Sequence, residues 1–260
     1  MDKIDRSGVI FNSLHVGDFV CVHGTELWSR QYFNSFSREE VIHDRDLICR
    51  RAGISVGRLV LAEQVHGDGI ALIRKKEAGR GVFKKDYIPQ CDALIILEKG
   101  VFLGVRTADC VPIVFCDPVK KITAVAHCGW KGTLKRLVQK VLLCFQEQGS
   151  HLDEVQVSLG PCIGSCCYDV SGDPERVKRF VDEFGKDAVE FLKHKVYLKL
   201  AQINKAQCLE TGIREDHVDL SSNFCTCCSL FPRFPSYYRT RYLEKEEANR
   251  AILTIAGFKR

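Results

Sequence analysis

The sequence predicts an α/β protein of the α+β type, a single domain over residues 1–260 in which mixed β-sheets are flanked by helices. Three observations predict it. Apolar, β-branched runs that read as strands outnumber the helical patterns. Strands and helices do not alternate regularly, which argues against a doubly wound parallel sheet. No Gly-x-Gly-x-x-Gly or Walker motif marks a nucleotide-binding turn between a strand and a helix. No repeat, low-complexity tract or Pro/Ser-rich linker divides the chain, so one domain is the economical reading.

In chain order, strands are expected over Asp18–His23, Arg58–Val65, Gly69–Ile73, Ala93–Leu97, Phe102–Thr107, Val111–Cys116, Ile122–His127 and Glu154–Leu159. Gly, Asp, Pro or Lys clusters punctuate them. A helix is expected over Arg38–Ala52, with Ser37 as its N-cap. The clearest helix begins near Trp130, because Leu134, Leu137, Val138, Val141, Leu142 and Phe145 fall on one face and Gly149 ends it. Further helices are expected over Pro174–Phe184, Leu200–Glu210 and Lys245–Ile255.

The totals narrow the function. A chain of 260 residues can bury a sizeable core. Its net charge of +5 comes from scattered Lys and Arg without interleaved aromatics, so a nucleic-acid partner is not expected. No apolar run approaches the roughly 18 residues of a membrane span. The fourteen cysteines would be disulfide partners in a secreted protein and thiols, core residues or metal ligands in a reducing cytosol. Asp2, Lys3, Asp5 and Arg6 interrupt the start of the chain and no apolar stretch follows. No signal peptide is therefore expected, the thiols are read as reduced, and the location as cytoplasmic.

Three segments each place a strong metal ligand where a strand ends. His66 precedes Gly67, Cys110 lies in the polar break between two strands, and His127 joins an apolar strand to the amphipathic helix. Each alone reads as packing or a surface hydrogen bond; only the combination raises a metal site. Spacing leaves that open, because no Cys-x-x-Cys is paired with a His-x-x-x-His. Two imidazoles and one thiolate would suit a zinc ion with its fourth position open, which lowers the pKa of bound water to roughly 7. Gly129, Trp130 and Gly132 open the helix after His127, and Lys131 adds a cation, so an anion such as phosphate can be accommodated there. An ordinary helix start with no ligand is the other reading. The cysteines of Cys162–Cys167 and Cys225–Cys228 are not expected to form a second site, since adjacent cysteines do not readily chelate one ion together.

These motifs stand in a familiar order. The His66-Gly67 segment, Cys91-Asp92-Ala93-Leu94, Thr107-Ala108-Asp109-Cys110-Val111-Pro112, Ala126-His127-Cys128-Gly129-Trp130-Lys131-Gly132-Thr133 and Gly160-Pro161-Cys162-Ile163-Gly164 together resemble the YfiH-like laccase-domain family. Its members were historically labelled multicopper polyphenol oxidases. Cys225-Thr226 and Ser236-Tyr237-Tyr238-Arg239 fit the same pattern. The resemblance implies a cytosolic single-domain α/β fold and zinc held by His66, Cys110 and His127. It implies purine nucleoside phosphorolysis, in which adenosine, inosine or guanosine and phosphate give a base and ribose 1-phosphate. Adenosine deamination and methylthioadenosine phosphorolysis are implied beside it. Arg45 lies where the family has an Asn-Arg pair and is a candidate phosphate contact, as are Gln64 and Lys131 for substrate or phosphate. Asp109 is a candidate acid–base residue or, equally, a turn residue. The chain departs from the family at Gly24–Arg30, at Asp44, at Lys199 and at Asn249-Arg250, and these changes bear on substrate range.

The partners expected are purine nucleosides and phosphate, with no nucleic acid or membrane, for a monomer or small homo-oligomer. Three rival readings stand beside this one. Copper-dependent phenol oxidation is countered by eight histidines with no His-x-His pair, which leaves copper as an adventitious occupant of a zinc site. A cysteine hydrolase would use Cys110 as nucleophile and His127 as base, as in editing a peptidoglycan precursor. A non-catalytic binding module would turn over no nucleoside.

Overall fold

The computed structural model describes residues 10–11, 14, 16–27, 37–230, 233–244 and 250–259. Its elements run β1 (Ile10–Phe11), β2 (Phe19–Leu27), α1 (Arg38–Arg51), β3 (Leu59–Leu61), β4 (Ile70–Ile73), β5 (Ala93–Ile96), β6 (Phe102–Thr107), β7 (Val111–Asp117), β8 (Ile122–Cys128), α2 (Trp130–Leu134), α3 (Leu137–Glu147), β9 (Gln156–Leu159), α4 (Pro174–Phe184), β10 (Val189–Leu192), β11 (Lys195–Leu198), α5 (Leu200–Thr211), β12 (Val218–Asp219) and β13 (Arg250–Phe258).

Two mixed sheets stack face to face. One has the order β1-β2-β13-β6-β3 and the other β12-β9-β7-β8-β5-β4, while β10 and β11 pair as a separate hairpin. Between the sheets pack Val60, Leu103 and Val105 from the first and Leu94, Ile96, Val114 and Val125 from the second. The outer face of the first sheet is covered by α1, whose Ile48 and Cys49 meet Leu59, Leu253 and Ile255. The outer face of the second is covered by α3 and α5, with Leu137, Val141, Phe145 and Ile203 against Ile95, Ile113, Phe115 and Ala124. The order of layers is helix, sheet, sheet, helix. Central strands are therefore covered on both faces, which is why β5 to β8 read as continuous apolar runs rather than alternating ones.

Local chemistry sets the element ends. Ser37 caps α1 through a reciprocal pair: its Oγ accepts from Glu40 N at 3.2 Å, and the Glu40 carboxylate accepts from Ser37 N at 2.7 Å. Two expectations are corrected. The helix from Trp130 is broken, because Arg136 takes a left-handed conformation (φ 56°) between α2 and α3. Gln207 Nε2 on α5 bonds the carbonyl of Thr133 at 3.0 Å, and Arg136 turns out to pair with Glu183 at 2.7 Å. The apolar face predicted for α3 is buried as expected. The second correction is the helix over Lys245–Ile255. Residues 245–249 lie outside the described residues, and from Arg250 onward the chain is β13, which pairs antiparallel with both β2 and β6. Ile252, Thr254 and Ile255 are β-branched and suit that strand. Of the divergent Gly24–Arg30 segment, residues 28–30 also lie outside the described residues. Among the described residues no helix is long and apolar enough to cross a membrane.

A histidine is sealed between the sheets. His23 on β2 is fully buried and its Nδ1 lies 2.8 Å from Thr254 Oγ1. Burial, opposed by the charge of Asp219, brings its pKa down to about 4. The ring is neutral in the folded chain, so between pH 4 and 6.5 the unfolded chain binds more protons. Stability is expected to fall as pH drops through that window, by up to about 3 kcal/mol at its foot. Chemical denaturation of His23→Gln at pH 7 and 4.5 should show a smaller loss on acidification than the parent chain.

Candidate metal centre

The sandwich brings three connections to one rim. The segment after β3 crosses from the first sheet to β4 in the second and carries His66. The turn from β6 to β7 makes the same crossing and carries Cys110. β8 ends at this rim with His127, which is in register with Pro112 at the start of β7. One donor atom from each of His66, Cys110 and His127 lies within 4.8 Å of the other two. The two imidazole rings meet edge to face, with centroids 4.7 Å apart. His66 is exposed, Cys110 half-buried and His127 buried, so the cluster opens to one side.

Asp92, at the head of β5, organises two of the three. Its Oδ1 receives His127 Nδ1 at 2.7 Å, which turns the other ring nitrogen toward Cys110. The same carboxylate accepts the backbone N–H groups of Val65 (3.2 Å), His66 (2.9 Å) and Gly67 (2.7 Å). Those bonds hold His66 at φ 57°, a conformation few non-glycine residues take. A carboxylate behind a ligating histidine is the arrangement that fixes its tautomer and orientation at metal sites. Burial raises the Asp92 pKa, but the bonds from His127 and the backbone outweigh it and hold the carboxyl below its ordinary value.

The remaining groups fit the same purpose. A Cβ on Gly129 would lie 2.9 Å from Cys110 Sγ and 3.3 Å from His66 Cδ2, so glycine leaves room where the ligands converge. Burial pushes the Cys110 thiol up, yet the charge of His127 and hydrogen bonds from both histidines bring it below the usual thiol range. Burial pulls His127 down, and Cys110 and Asp92 more than reverse it. A thiolate beside two imidazoles, one backed by a carboxylate, is a donor set suited to a borderline-soft divalent ion.

The cluster lies in the wall of a cleft of about 1020 Å³. Lys131, Arg176, Trp130, Tyr168 and Tyr238 share the lining. The Arg176 guanidinium stacks over the Trp130 ring at 4.4 Å and its Nη1 reaches Tyr168 Oη at 3.3 Å. Lys131 Nζ stands 5.5 Å from the same ring and is exposed, with no carboxylate paired to it among the described residues. Tyr168 and Tyr238 meet edge to face, and Tyr238 packs against Tyr242. Arg176, Asp92 and Tyr168 were assigned no role from sequence. Arg176 and Tyr168 lie far along the chain from the ligands, and only an Asp opening a buried strand signalled the third.

The other sequence candidates fare differently. Asp109 lines the cleft at φ 88°, but both its oxygens are engaged: Oδ1 by Thr226 Oγ1 at 2.6 Å and Oδ2 by Tyr238 N at 2.5 Å. Burial raises its pKa. It ties the Thr226 and Tyr238 segments to the β6–β7 turn. Gln64 also lines the cleft, but its amide bonds Arg106 N and O, both at 2.8 Å, and so fastens the ends of β3 and β6 together. Arg45 is a correction. It is not at the cleft; it is 1% exposed on α1, with Nε on Glu26 at 2.9 Å and Nη1 on the carbonyls of Gly81 and Val82. Its guanidinium is consumed in a buried ion pair and cannot reach phosphate. Arg45→Met is expected to cost about 3–5 kcal/mol by stranding Glu26. Denaturant melts of the variant beside the parent chain check it.

A family model described as multi-copper polyphenol oxidoreductase laccase matches residues 35–250. A protein named purine nucleoside phosphorylase YlmD, from Geobacillus stearothermophilus, is 30% identical over 204 residues, 74% of this chain and 71% of that one. Another, named adenosine deaminase RL5, from an unknown prokaryotic organism, is 30% identical over 193 residues, 72% of each chain. The crystal structure of the hypothetical protein YfiH of Bacillus licheniformis superposes with a TM-score of 0.88 at 23% identity, over 99% of both chains, and shares the fold.

Proposed function

This chain belongs to the multi-copper polyphenol oxidoreductase laccase family, and on that footing we propose that it is a zinc-dependent purine nucleoside phosphorylase. It would split adenosine, inosine or guanosine with phosphate into the base and ribose 1-phosphate. The observation that carries this reading is the meeting of His66, Cys110 and His127, backed by Asp92, in the wall of a cleft with room for a nucleoside and phosphate. Relatives named purine nucleoside phosphorylase and adenosine deaminase support it.

Zinc held by the two imidazoles and the thiolate would supply Lewis-acid polarisation of a phosphate or ribose oxygen. The rest falls to the chain. Asp92 holds His127 in one tautomer and fixes the His66 turn. Lys131 sets positive charge on the cleft wall, where it offsets phosphate, while the Arg176 guanidinium is already paired with Asp173 at 2.8 Å. Tyr238 and Tyr242 offer aromatic faces to the purine. A phosphate oxygen forms its bond to C1′ as the bond from C1′ to the purine nitrogen breaks. The base leaves with that electron pair, and the proton it gains is the one phosphate loses. Asp109, with both oxygens occupied, acts by holding the wall. Adenosine deamination in the same cleft is a second outcome for the same residues. Copper would be an adventitious occupant of the centre, and the absence of His-x-His pairs speaks against phenol oxidation.

One observation favours a second reading. Cys110, His127 and Asp92 also stand in the order of a thiolate, its base and an orienting carboxylate, the arrangement of a cysteine hydrolase. Incubation of the purified protein with inosine and phosphate, followed by chromatography, is expected to yield hypoxanthine and ribose 1-phosphate, with turnover lost to a chelator and regained with zinc. Activity that survives full metal removal and dies on thiol alkylation would transfer the site to the hydrolase reading.

A further inference from the structure

A second group of cysteines lies outside this centre. The sulfurs of Cys166, Cys167, Cys225 and Cys228 all lie within 4.8 Å of one another, and Cys166 Sγ stands 3.6 Å from Cys228 Sγ. Cys166 and Cys167 are adjacent, yet the chain turns tightly at 165–167, with Cys167 N and Tyr168 N both bonded to Gly164 O at 3.0 Å, and both sulfurs come within reach of Cys225 and Cys228.

We propose that these four cysteines form a second, closed metal centre that binds zinc through four thiolates. Four lines of geometry support it. First, tetrahedral zinc with Zn–S of about 2.3 Å sets sulfurs about 3.8 Å apart, so the cluster needs less than about 1 Å of contraction. Second, these cysteines are not packing residues. Cysteines that fill cores are buried, as Cys49, Cys116 and Cys208 are here, whereas Cys166 and Cys228 are exposed and face other thiols. Third, Cys225-Thr226-Cys227-Cys228 has the Cys-x-x-Cys spacing and closes one turn, with Ser229 N on Cys225 O at 3.1 Å. The N–H of Gly164 points at Cys225 Sγ from 3.3 Å, as a donor to a ligating thiolate does. Fourth, a Cβ on Gly164 would stand 3.1 Å from Cys166 Sγ and 3.5 Å from Cys225 Sγ, so glycine keeps the centre clear.

Binding replaces four thiol protons with one divalent ion and releases those protons to solvent. Four protein ligands leave no open position, so the centre is structural. Its place in the fold gives it an effect. The Cys166–Cys167 turn leads directly into Tyr168–Ser171 on the cleft wall. The Cys225–Cys228 turn contains Thr226, which holds Asp109, and carbonyls of Thr226 and Cys227 bind the Arg239 guanidinium at 2.8 and 3.0 Å. One ion would staple both walls of the cleft. This inference stands apart from the phosphorylase reading.

Metal content and native mass of protein purified under reducing conditions test it. The parent chain is expected to hold about two zinc ions, and Cys110→Ala to keep about one. Cobalt-loaded Cys110→Ala should show an intense charge-transfer band of four thiolates, and Cys166→Ser/Cys228→Ser, with His66–Cys110–His127 still loaded, should keep only the weaker band of the single Cys110 thiolate. If the double variant fails to fold, the Cys110→Ala measurement decides alone. Folded Cys110→Ala that holds no zinc, and whose four cysteines alkylate as fast as free thiols, overturns the proposal. So does a native mass lacking the hydrogen pairs of disulfides among them.

Discussion

Cys110→Ala is expected to bring phosphorolysis down to the uncatalysed background while the chain remains folded. Cys110 supplies the one thiolate among the three converging donors, and its sulfur sits between both imidazoles. Without it the His66 and His127 rings face each other with no anionic ligand, and affinity for a divalent ion falls with the lost bond. The rate follows the metal. Loss of a single preorganised contact in a catalytic site already costs about 10²–10³ in rate, so removal of a ligand is expected to exceed that. Stability should change little, because Cys110 is half-buried on a connection rather than in the sheet core. The check is kcat/KM on inosine with phosphate, measured beside a thermal melt and the metal content. Serine in place of alanine should be nearly as inactive, since a hydroxyl is not ionised at neutral pH. Full turnover by Cys110→Ala would remove the site from this position altogether.

How much of this was legible beforehand depended on how local the cause was. β6 and α4 were read to the residue, and α1 to within one residue, because burial on both faces, a capping Ser and Pro174 at a helix start are written into neighbouring residues. β13 was misread because a fully buried apolar run has no period to distinguish strand from helix. His66, Cys110 and His127 were singled out because each stands where an apolar run stops, but spacing left a metal site open and only the family resemblance implied one. Their support was not legible. Asp92 meets His66 across 26 residues and His127 across 35, and no spacing announces such a contact. Arg45 failed for the converse reason. Its place at the family's Asn-Arg pair suggested a phosphate contact, and only the tertiary fold shows Glu26 waiting behind it. The four-cysteine cluster was discounted on a rule about neighbours in sequence, when what mattered was a turn that brings 166–167 against 225–228.

Asp92→Asn tests that hidden support, and it is expected to weaken zinc at the first centre by about 10- to 100-fold. The carboxylate accepts four hydrogen bonds from His127 Nδ1 and the N–H groups of Val65, His66 and Gly67, and it is fully buried. An amide of the same shape keeps one acceptor oxygen and replaces the other with two donors. Whichever way it turns, donors face donors. Either the His127 ring loses its orienting partner or the His66 turn is released from its left-handed conformation. Breaking a buried charged pair of this kind costs about 3–5 kcal/mol, so the melting temperature should fall as well. Stability loss alone would leave the metal untouched in whatever fraction stays folded. A positioning role predicts more: turnover of Asp92→Asn should rise toward the parent value as zinc is added in excess, whereas Cys110→Ala should not respond. An unchanged zinc affinity in folded Asp92→Asn would mean that the two histidines find their places without the carboxylate, and that their meeting at the rim is fixed by the sheets alone.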